Sequence, residues 1–354
     1  MTADPDHAGR APAPPLRLAF DPAALTANWR ALDRLSGAAR TGAAVKADGY
    51  GIGARRAVPV LAAAGCTDFF VAHWQEAAEL LDLVPAPSLA MLHGPLTAAE
   101  AQWARASGTR PVLNSLVQVD CWLAAGGGPC HVMVDTGINR LGLPLAALGD
   151  PRLAALDIDI LLSHLASSEE DTPLNGQQLE RWLAARQRLP HRRASLANSA
   201  GIVLGPAYHG DLTRPGLSLY GGVPCPALAP HVRQVVYPEA AILQVREIAA
   251  GDTVGYNATF TATRDMRIGV IALGYADGYL RCWSGRGTAR DDTGAPLPVL
   301  GRVSMDMTVI DLAATPTLRE GDWVALDYAL PEAAALTGLS QYELLTSLGR
   351  RFSR

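Results

Sequence analysis

Lysine is almost missing from this chain. Its 354 residues include 30 cationic side chains, of which Lys46 is the one lysine and the other 29 are arginine. Arginine serves wherever a permanent cation is needed, yet one position keeps lysine. An arginine does not lose its proton in a protein, whereas a desolvated lysine becomes a neutral amine able to attack a carbonyl. The run Thr41-Gly-Ala-Ala-Val-Lys46 is small and apolar up to the lysine. It predicts a buried strand whose last residue meets solvent or ligand. The expectation is a Schiff-base lysine at a strand end, weighed against chance survival of a surface lysine.

Other absences narrow the function. The five cysteines (Cys66, Cys121, Cys130, Cys225, Cys282) are odd in number, far apart and without a Cys-x-x-Cys pair. Neither a disulfide framework nor a zinc knuckle is supported, and thiols in a reducing, cytoplasmic compartment are expected. The net charge is −4 and no run of five like charges occurs, which argues against nucleic acid and against an anionic membrane as partner. No apolar stretch reaches the roughly 18 residues of a membrane span. Residues 1–15 carry Pro and Ala without an apolar core and are expected to form a disordered tail, not a secretion signal. No internal repeat at a solenoid period is found.

What is present has a rhythm. Leu16-Arg-Leu-Ala-Phe20 alternates like a short strand, and Asp21-Pro22 opens a helix expected to run to about residue 35. From Thr41 onward short apolar runs recur at 43–46, 68–72, 89–92, 111–114, 131–135, 158–164 and 194–198, with a weaker one near 211–214. Helical text lies between most of them, at 74–83, 98–106, 116–124 and 177–188. Alternating β and α with short links implies a parallel sheet with right-handed crossovers. Eight units in this length suit a barrel better than an open sheet. After Val235 the text turns β-rich, with candidate strands at 254–262, 268–273, 299–303, 308–312 and 323–326 and helical text only near 331–336 and 341–348. The expected fold is α/β. An N-terminal (β/α)8 TIM-like barrel fills 21–235, and a C-terminal, mainly β domain fills 236–354 together with the strand 16–20.

Barrel enzymes place catalytic groups at the C-terminal ends of their strands. Lys46 ends the first expected strand and Asp135-Thr-Gly-Ile-Asn-Arg140 follows the fifth. His164 ends the sixth, Asn198-Ser199 the seventh, and Arg214-Pro-Gly216 follows the eighth. Each has a bland reading. His164 could be a capped core histidine, and Asn198-Ser199 only the N-cap of a helix at 200–204. Five polar clusters on one rim are hard to ascribe to accident. A helix start beside Gly216 is also where a phosphate binds, and barrels often bind phosphate after strands 7 and 8. Gly49-Tyr-Gly-Ile-Gly53 has the wrong spacing for a dinucleotide fingerprint. A lysine nucleophile with a phosphate cradle points to pyridoxal phosphate. An aldolase forming its Schiff base directly with a sugar phosphate remains a competitor.

The chain strongly resembles the alanine racemase family from Leu16 to Arg351. The matching stretches begin with Ala44-Val-Lys-Ala-Asp-Gly-Tyr-Gly51, Val134-Asp-Thr-Gly-Ile-Asn-Arg-Leu-Gly142, Ser163-His-Leu-Ala166 and Ala197-Asn-Ser-Ala200. They continue with Arg214-Pro-Gly-Leu-Ser-Leu-Tyr-Gly221, Leu273-Gly-Tyr-Ala-Asp-Gly-Tyr279, Gly301-Arg-Val-Ser-Met-Asp306 and Tyr342-Glu-Leu-Leu345. The resemblance implies pyridoxal 5'-phosphate as cofactor, a small amino acid as substrate, and a head-to-tail homodimer with shared active sites. It makes Lys46 the cofactor lysine and one base, and Tyr275 the opposing base, supplied by the partner subunit. Arg214 resembles the arginine at the pyridine nitrogen, with His164 behind it. Arg140 resembles the residue near the cofactor phenolate and substrate carboxylate. Tyr50, Ser199, Gly216, Leu217 and Tyr342 map onto phosphate contacts, with Asn198 beside them. Met305 and Asp306 map onto substrate-side positions from the second subunit, and Arg302 onto the entry path.

The chemistry fits those roles. Racemisation removes a proton from one face of the α-carbon and returns it on the other, so two bases must flank it. A tyrosine of ordinary pKa near ~10 is a poor base at neutral pH. A cationic neighbourhood from His164 and Arg214 is expected to stabilise its phenolate. Many family members carry a carbamylated lysine two residues before the Asp-Thr-Gly aspartate. Here that position is Met133 and no second lysine exists, so Arg140 must be oriented otherwise. Ile52 stands where a histidine is frequent. A racemase accepting serine or other small amino acids is a close alternative, and a non-catalytic carrier of the cofactor a more distant one.

Overall fold

The computed structural model describes residues 12–353. The chain divides into two compact units, Asp21–Val235 and a second that joins the segment ending at Phe20 to the segment from Val236 on. Most of the expected tail, residues 1–11, lies outside the described residues. Its last residue, Pro15, accepts the Ala241 N–H at 2.9 Å.

The Asp21–Val235 unit is a (β/α)8 barrel. Its strands are Arg40–Thr41 with Ala43–Ala44, Phe69–Val71, Leu89–Met91, Arg110–Leu113, Pro129–Asp135, Asp157–Leu162, Arg193–Ser195 and Leu212–Thr213. Neighbours pair in parallel, with Ala43 opposite Phe69, Phe69 opposite Leu89 and Val112 opposite His131. The ring closes where Leu212–Thr213 pairs with Arg40–Thr41, also in parallel. Between the last two strands the Asp211 and Arg214 N–H groups donate to Ala194 and Ala197 carbonyls, each at 2.8 Å. Phe69–Val71 and Leu89–Met91 are buried at every residue, as expected of strands covered on both faces. That is why they read as unbroken apolar runs. Trp122 and Trp182 from the outer helices seal the core against Leu113, Val132 and Leu161. Each fully buried side chain of this size contributes at least roughly 1.5–3 kcal/mol.

Local signals set the helix limits. Pro22–Ser36 begins where Asp21 Oδ1 accepts the Ala24 N–H at 2.9 Å, and it stops at Gly37. Ala98–Ser107 opens on a reciprocal cap, with the Glu100 N–H bonded to Thr97 Oγ1 at 3.2 Å and the Thr97 N–H to Glu100 Oε2 at 3.1 Å. The fourth strand's successor, Leu116–Ala124, starts at Ser115, whose Oγ accepts the Gln118 N–H.

Boundaries differ in informative ways. The helix expected over 74–83 stops at Ala78. The one expected over 177–188 begins at Pro173, because Thr172 caps it and proline suits a first turn. The first strand ends at Ala44, and Lys46 begins a turn instead of finishing the strand.

The second unit is a closed antiparallel barrel. Val236–Ile248, Met266–Ile271, Thr308–Asp311, Pro296–Leu300, Thr288–Arg290 and Trp323–Leu326 pair in that order, and the last returns to the first. Leu16–Phe20 adds an antiparallel edge to Val236–Ile248, with Leu18 opposite Pro238. The continuous strand expected at 254–262 is a hairpin. Thr253–Val254 pairs with Phe260–Thr261, and between them Asn257 and Ala258 take φ of 63° and 48°. A strand cannot pass through positive φ.

Candidate active site

Lys46 heads a left-handed turn at the C-terminal end of the first barrel strand. Ala47, Asp48, Gly49, Tyr50 and Gly51 have φ of 53°, 53°, 63°, 56° and 86°. Three of the five carry a Cβ, and each costs on the order of 1–2 kcal/mol in this conformation. Such strain persists only where neighbours over-determine it, and it clusters at functional sites. The neighbours are visible. Asp48 Oδ1 accepts the Ala54 N–H at 2.7 Å, and Glu76 Oε1 accepts the Ala47 N–H at 2.6 Å. Lys46 itself is half-buried, and its amine has no hydrogen-bond partner among the described residues. Burial lowers its pKa first, and the positive charges of Arg140 and Arg214 lower it further against the opposing pull of Glu76. The amine thus holds its proton less tightly than an exposed lysine would, and no second lysine competes for a nucleophilic role.

Arg214 lies deeper. Its guanidinium donates to Ser195 Oγ at 2.5 Å and to the Ser163 carbonyl at 2.6 Å. All its hydrogen-bond partners among the described residues are neutral. Burial brings its pKa down to about 10, which still leaves it cationic at neutral pH. His164 behaves otherwise than expected. Desolvation, then the charges of Arg214, Arg140 and Lys46, push its pKa down to about 3. It is neutral and adds no charge of its own to the cationic neighbourhood of Arg214 and Arg140.

Arg140 is exposed on the loop after the fifth strand, and no group among the described residues holds its guanidinium. Met133 is buried under that loop and brings no charge to it. The loop is fixed through its backbone instead. Asp135 Oδ1 accepts N–H groups from Gly137, Ile138 and Asn139 at 2.8, 3.0 and 3.2 Å. Gln178, fully buried on the Pro173–Arg188 helix, donates to Thr136 Oγ1 at 3.2 Å and to the His164 carbonyl at 3.0 Å. One side chain thereby ties together the loops that carry Arg140 and His164.

After strands 7 and 8 the small residues converge. Ser199 does not cap the short 3-10 turn Ala200–Leu204; its Oγ accepts the Gly216 and Ser218 N–H groups at 3.0 and 3.3 Å. Asn198 does the capping, accepting the Gly201 N–H at 2.9 Å. The Tyr50 hydroxyl sits against the Gly216 Cα, where any Cβ would overlap it. Tyr50 stacks on Tyr220 at 4.9 Å, and burial raises its pKa to about 12, so it stays a phenol. Leu217 is buried beside them.

Tyr275, Arg302, Met305, Asp306 and Tyr342 belong to the other unit. The Tyr275 N–H donates to the Ser304 carbonyl and the Ala276 N–H to the Met305 carbonyl, each at 3.0 Å. Gly274 permits this approach, since a Cβ there would overlap the Met305 carbonyl. Tyr275, Met305 and Asp306 are thus presented together. The Arg281 guanidinium lies 5.3 Å from the Tyr275 ring centre, a cation–π distance. Arg351 bridges buried Asp277 and Asp306, at 2.7 Å to each. Tyr342 is half-exposed on the Gln341–Thr346 helix.

Glu76, Gln178 and Arg281 were not singled out by the sequence. An acid at the third position of a helix after a strand is a visible signal for Glu76. The other two have none.

These features define a class: chains that join a (β/α)8 barrel with one unpaired lysine on its C-terminal rim to an antiparallel β barrel with a tyrosine turn. Comparison with known proteins gives the family. The alanine racemase N-terminal domain profile matches residues 20–224 and the C-terminal domain profile residues 235–354. The alanine racemase of Acidiphilium cryptum is 44% identical over 353 residues, covering 95% of this chain and 97% of that one. The biosynthetic alanine racemase of Agrobacterium fabrum is 40% identical, covering 96% and 93%. The crystal structure of alanine racemase from Bartonella henselae, with covalently bound pyridoxal phosphate, superposes with a TM-score of 0.88 at 36% identity over 97% of this chain and 99% of that one. The chain belongs to the alanine racemase family.

Proposed function

We infer that this protein interconverts L- and D-alanine with pyridoxal phosphate, Lys46 and Tyr275 acting as the two bases. The observation that carries the reading is the single lysine of the chain, held with a lowered pKa on the barrel rim beside a buried arginine that has no carboxylate partner among the described residues. The residues fit the cofactor. Lys46 offers an amine of lowered pKa to an aldehyde, and the buried Arg214 cation and the exposed Arg140 offer donors to its ring and to a substrate carboxylate.

When bound, the cofactor supplies an electron-withdrawing ring that acidifies the α-C–H bond of the amino acid attached to it. Lys46 holds the cofactor and moves the α-proton on one face. Tyr275, from the partner chain of a head-to-tail homodimer, moves it on the other. Arg214 would donate to the cofactor's ring nitrogen and, as a permanent donor, would not protonate it, so the ring would withdraw electrons less strongly. That limits side reactions such as transamination. Arg140, with no acidic partner among the described residues, would take the substrate carboxylate. Ser199, Gly216, Leu217, Tyr50 and Tyr342, with Asn198 in support, would hold the phosphate, while Met305 and Asp306 would close the substrate side and Arg302 would line the entry path. The cysteines, all free thiols, suit a cytoplasmic enzyme that supplies D-alanine to the cell wall or catabolises it.

The test is a chiral assay on a panel of small amino acids. Alanine should reach equal L and D from either side, faster than serine. Conversion of serine but not alanine, or of neither, would contradict the reading.

A further inference from the structure

We propose that Glu76 is the positioning residue of the lysine turn: its carboxylate spans the rim from the second strand's exit to the residue after Lys46 and holds the left-handed turn in place. The inference rests on the reading of Lys46 as cofactor lysine. Glu76 Oε1 takes the Ala47 N–H at 2.6 Å, while Oε2 takes the Ala72 and His73 N–H groups at 2.7 and 3.2 Å. All three donors are main-chain groups, and no salt bridge competes for the carboxylate among the described residues.

Two observations make this more than a helix cap. A cap needs only the donors on its own side, those of Ala72 and His73, whereas Oε1 reaches 29 residues back along the chain to Ala47. Ala47 is also the first residue of the left-handed run, at φ 53°. A side chain that fixes this N–H fixes the direction in which Lys46 leaves the strand. The carboxylate also sets charge. Lys46 is faced by Arg140 and Arg214, which lower its pKa, and by Glu76, which raises it. His164 and His93 lie within its electrostatic reach, and His73 packs edge-on to His93 at 4.7 Å.

The chain's lone lysine sharpens the test, because Lys46 carries the only side-chain amine and peptide mass separates its adduct from one on the N-terminal amine. The full-length protein, stripped of cofactor, is mixed with pyridoxal phosphate. Covalent capture, in which the amine and the aldehyde join with loss of one water, is followed by visible absorbance and by the mass retained after borohydride reduction. Glu76→Gln, which has one acceptor oxygen where two are used, should slow capture at least tenfold. It should also speed hydrogen exchange at the Ala47 amide at least tenfold while the amides of Phe69–Val71 stay protected. Glu76→Asp keeps the charge but is one methylene too short to span the rim, so it should lose capture similarly. Ala47→Gly, which relieves the backbone at φ 53°, should restore part of the rate to Glu76→Gln. Capture at the wild-type rate in both Glu76 variants, or in Glu76→Asp alone, would overturn the inference, as would failure of Ala47→Gly to rescue. A wild-type chain that captures no pyridoxal phosphate would overturn the cofactor reading as well, and protection of Ala47 would then show the turn clamp separately.

Discussion

Two arginines on neighbouring barrel strands have opposite surroundings. Arg193 opens the Arg193–Ser195 strand at the N-terminal end of the barrel, where it bonds Asp159 at 2.8 and 3.1 Å and Asp68 at 2.8 Å. Burial works against its charge, but the two carboxylates outweigh burial and its pKa rises. Arg214 follows the next strand at the C-terminal rim and, among the described residues, finds only hydroxyl and carbonyl oxygens. Burial is unopposed there, and its pKa falls. One charge is closed off inside the protein; the other is left for something that arrives. Burial alone does not distinguish a structural cation from a functional one. The partner does.

The largest effect expected at the rim comes from Lys46→Arg. It keeps a cation and removes the only side-chain amine, so racemisation should drop on the order of 10³-fold or more, with no cofactor colour retained. Absorbance and a chiral assay check it. Arg214→Gln removes the open charge and should lower kcat about a hundredfold, the scale of a lost preorganised electrostatic contact. Because no carboxylate loses a partner, denaturant unfolding should change by no more than about 1 kcal/mol.

Arg193→Gln should show the reverse pattern, leaving Asp68 and Asp159 facing each other unpaired. Their partial exposure tempers the penalty to about 2–3 kcal/mol of stability, with kcat of the folded enzyme unchanged. If Arg193→Gln instead cuts kcat and Arg214→Gln instead unfolds the protein, the contrast between the two ends is wrong.

The smallest effect sharpens the N-terminal end. His131 is buried there, its Nδ1 accepting the Ile160 N–H at 3.2 Å, and desolvation lowers its pKa from 6.5 to about 4. The unfolded chain therefore binds the proton more tightly than the folded one. Stability is complete above pH 6.5 and is lost as pH falls toward 4, by about 2 kcal/mol at pH 5 from this group. Urea titrations at pH 7 and pH 5 should show that loss, and His131→Gln should flatten it.

The rim residues were legible because polar groups interrupted apolar runs at regular strand ends. Lys46, His164, Asn198 and Arg214 announced themselves in this way. The state of those residues was not legible. That His164 is neutral follows first from its burial and then from the nearby charges of Arg214, Arg140 and Lys46, all distant in sequence. The left-handed turn was hidden because Ala47, Asp48 and Tyr50 are not glycines, and their strain is held by Glu76 from another strand's exit. Ser199 reads as a cap in sequence because only folding brings the Gly216 N–H to it. The hairpin at 253–261 was mistaken for a strand since Thr, Tyr and Phe dominate its text while Asn257 and Ala258 reverse it.

The claim that a site draws its lysine from one chain and its tyrosine from the partner can be tested by mixing variants. Lys46→Ala and Tyr275→Phe chains, each nearly inactive alone, are unfolded together and reassociated. Random two-fold pairing makes about half the dimers mixed, each with one doubly damaged site and one intact site, so about a quarter of all sites are whole. Activity should rise to roughly a quarter of wild type. If both residues of a site came from the same chain, every site would keep a lesion. No recovery, with mixed dimers shown by mass spectrometry to be present, would contradict the account.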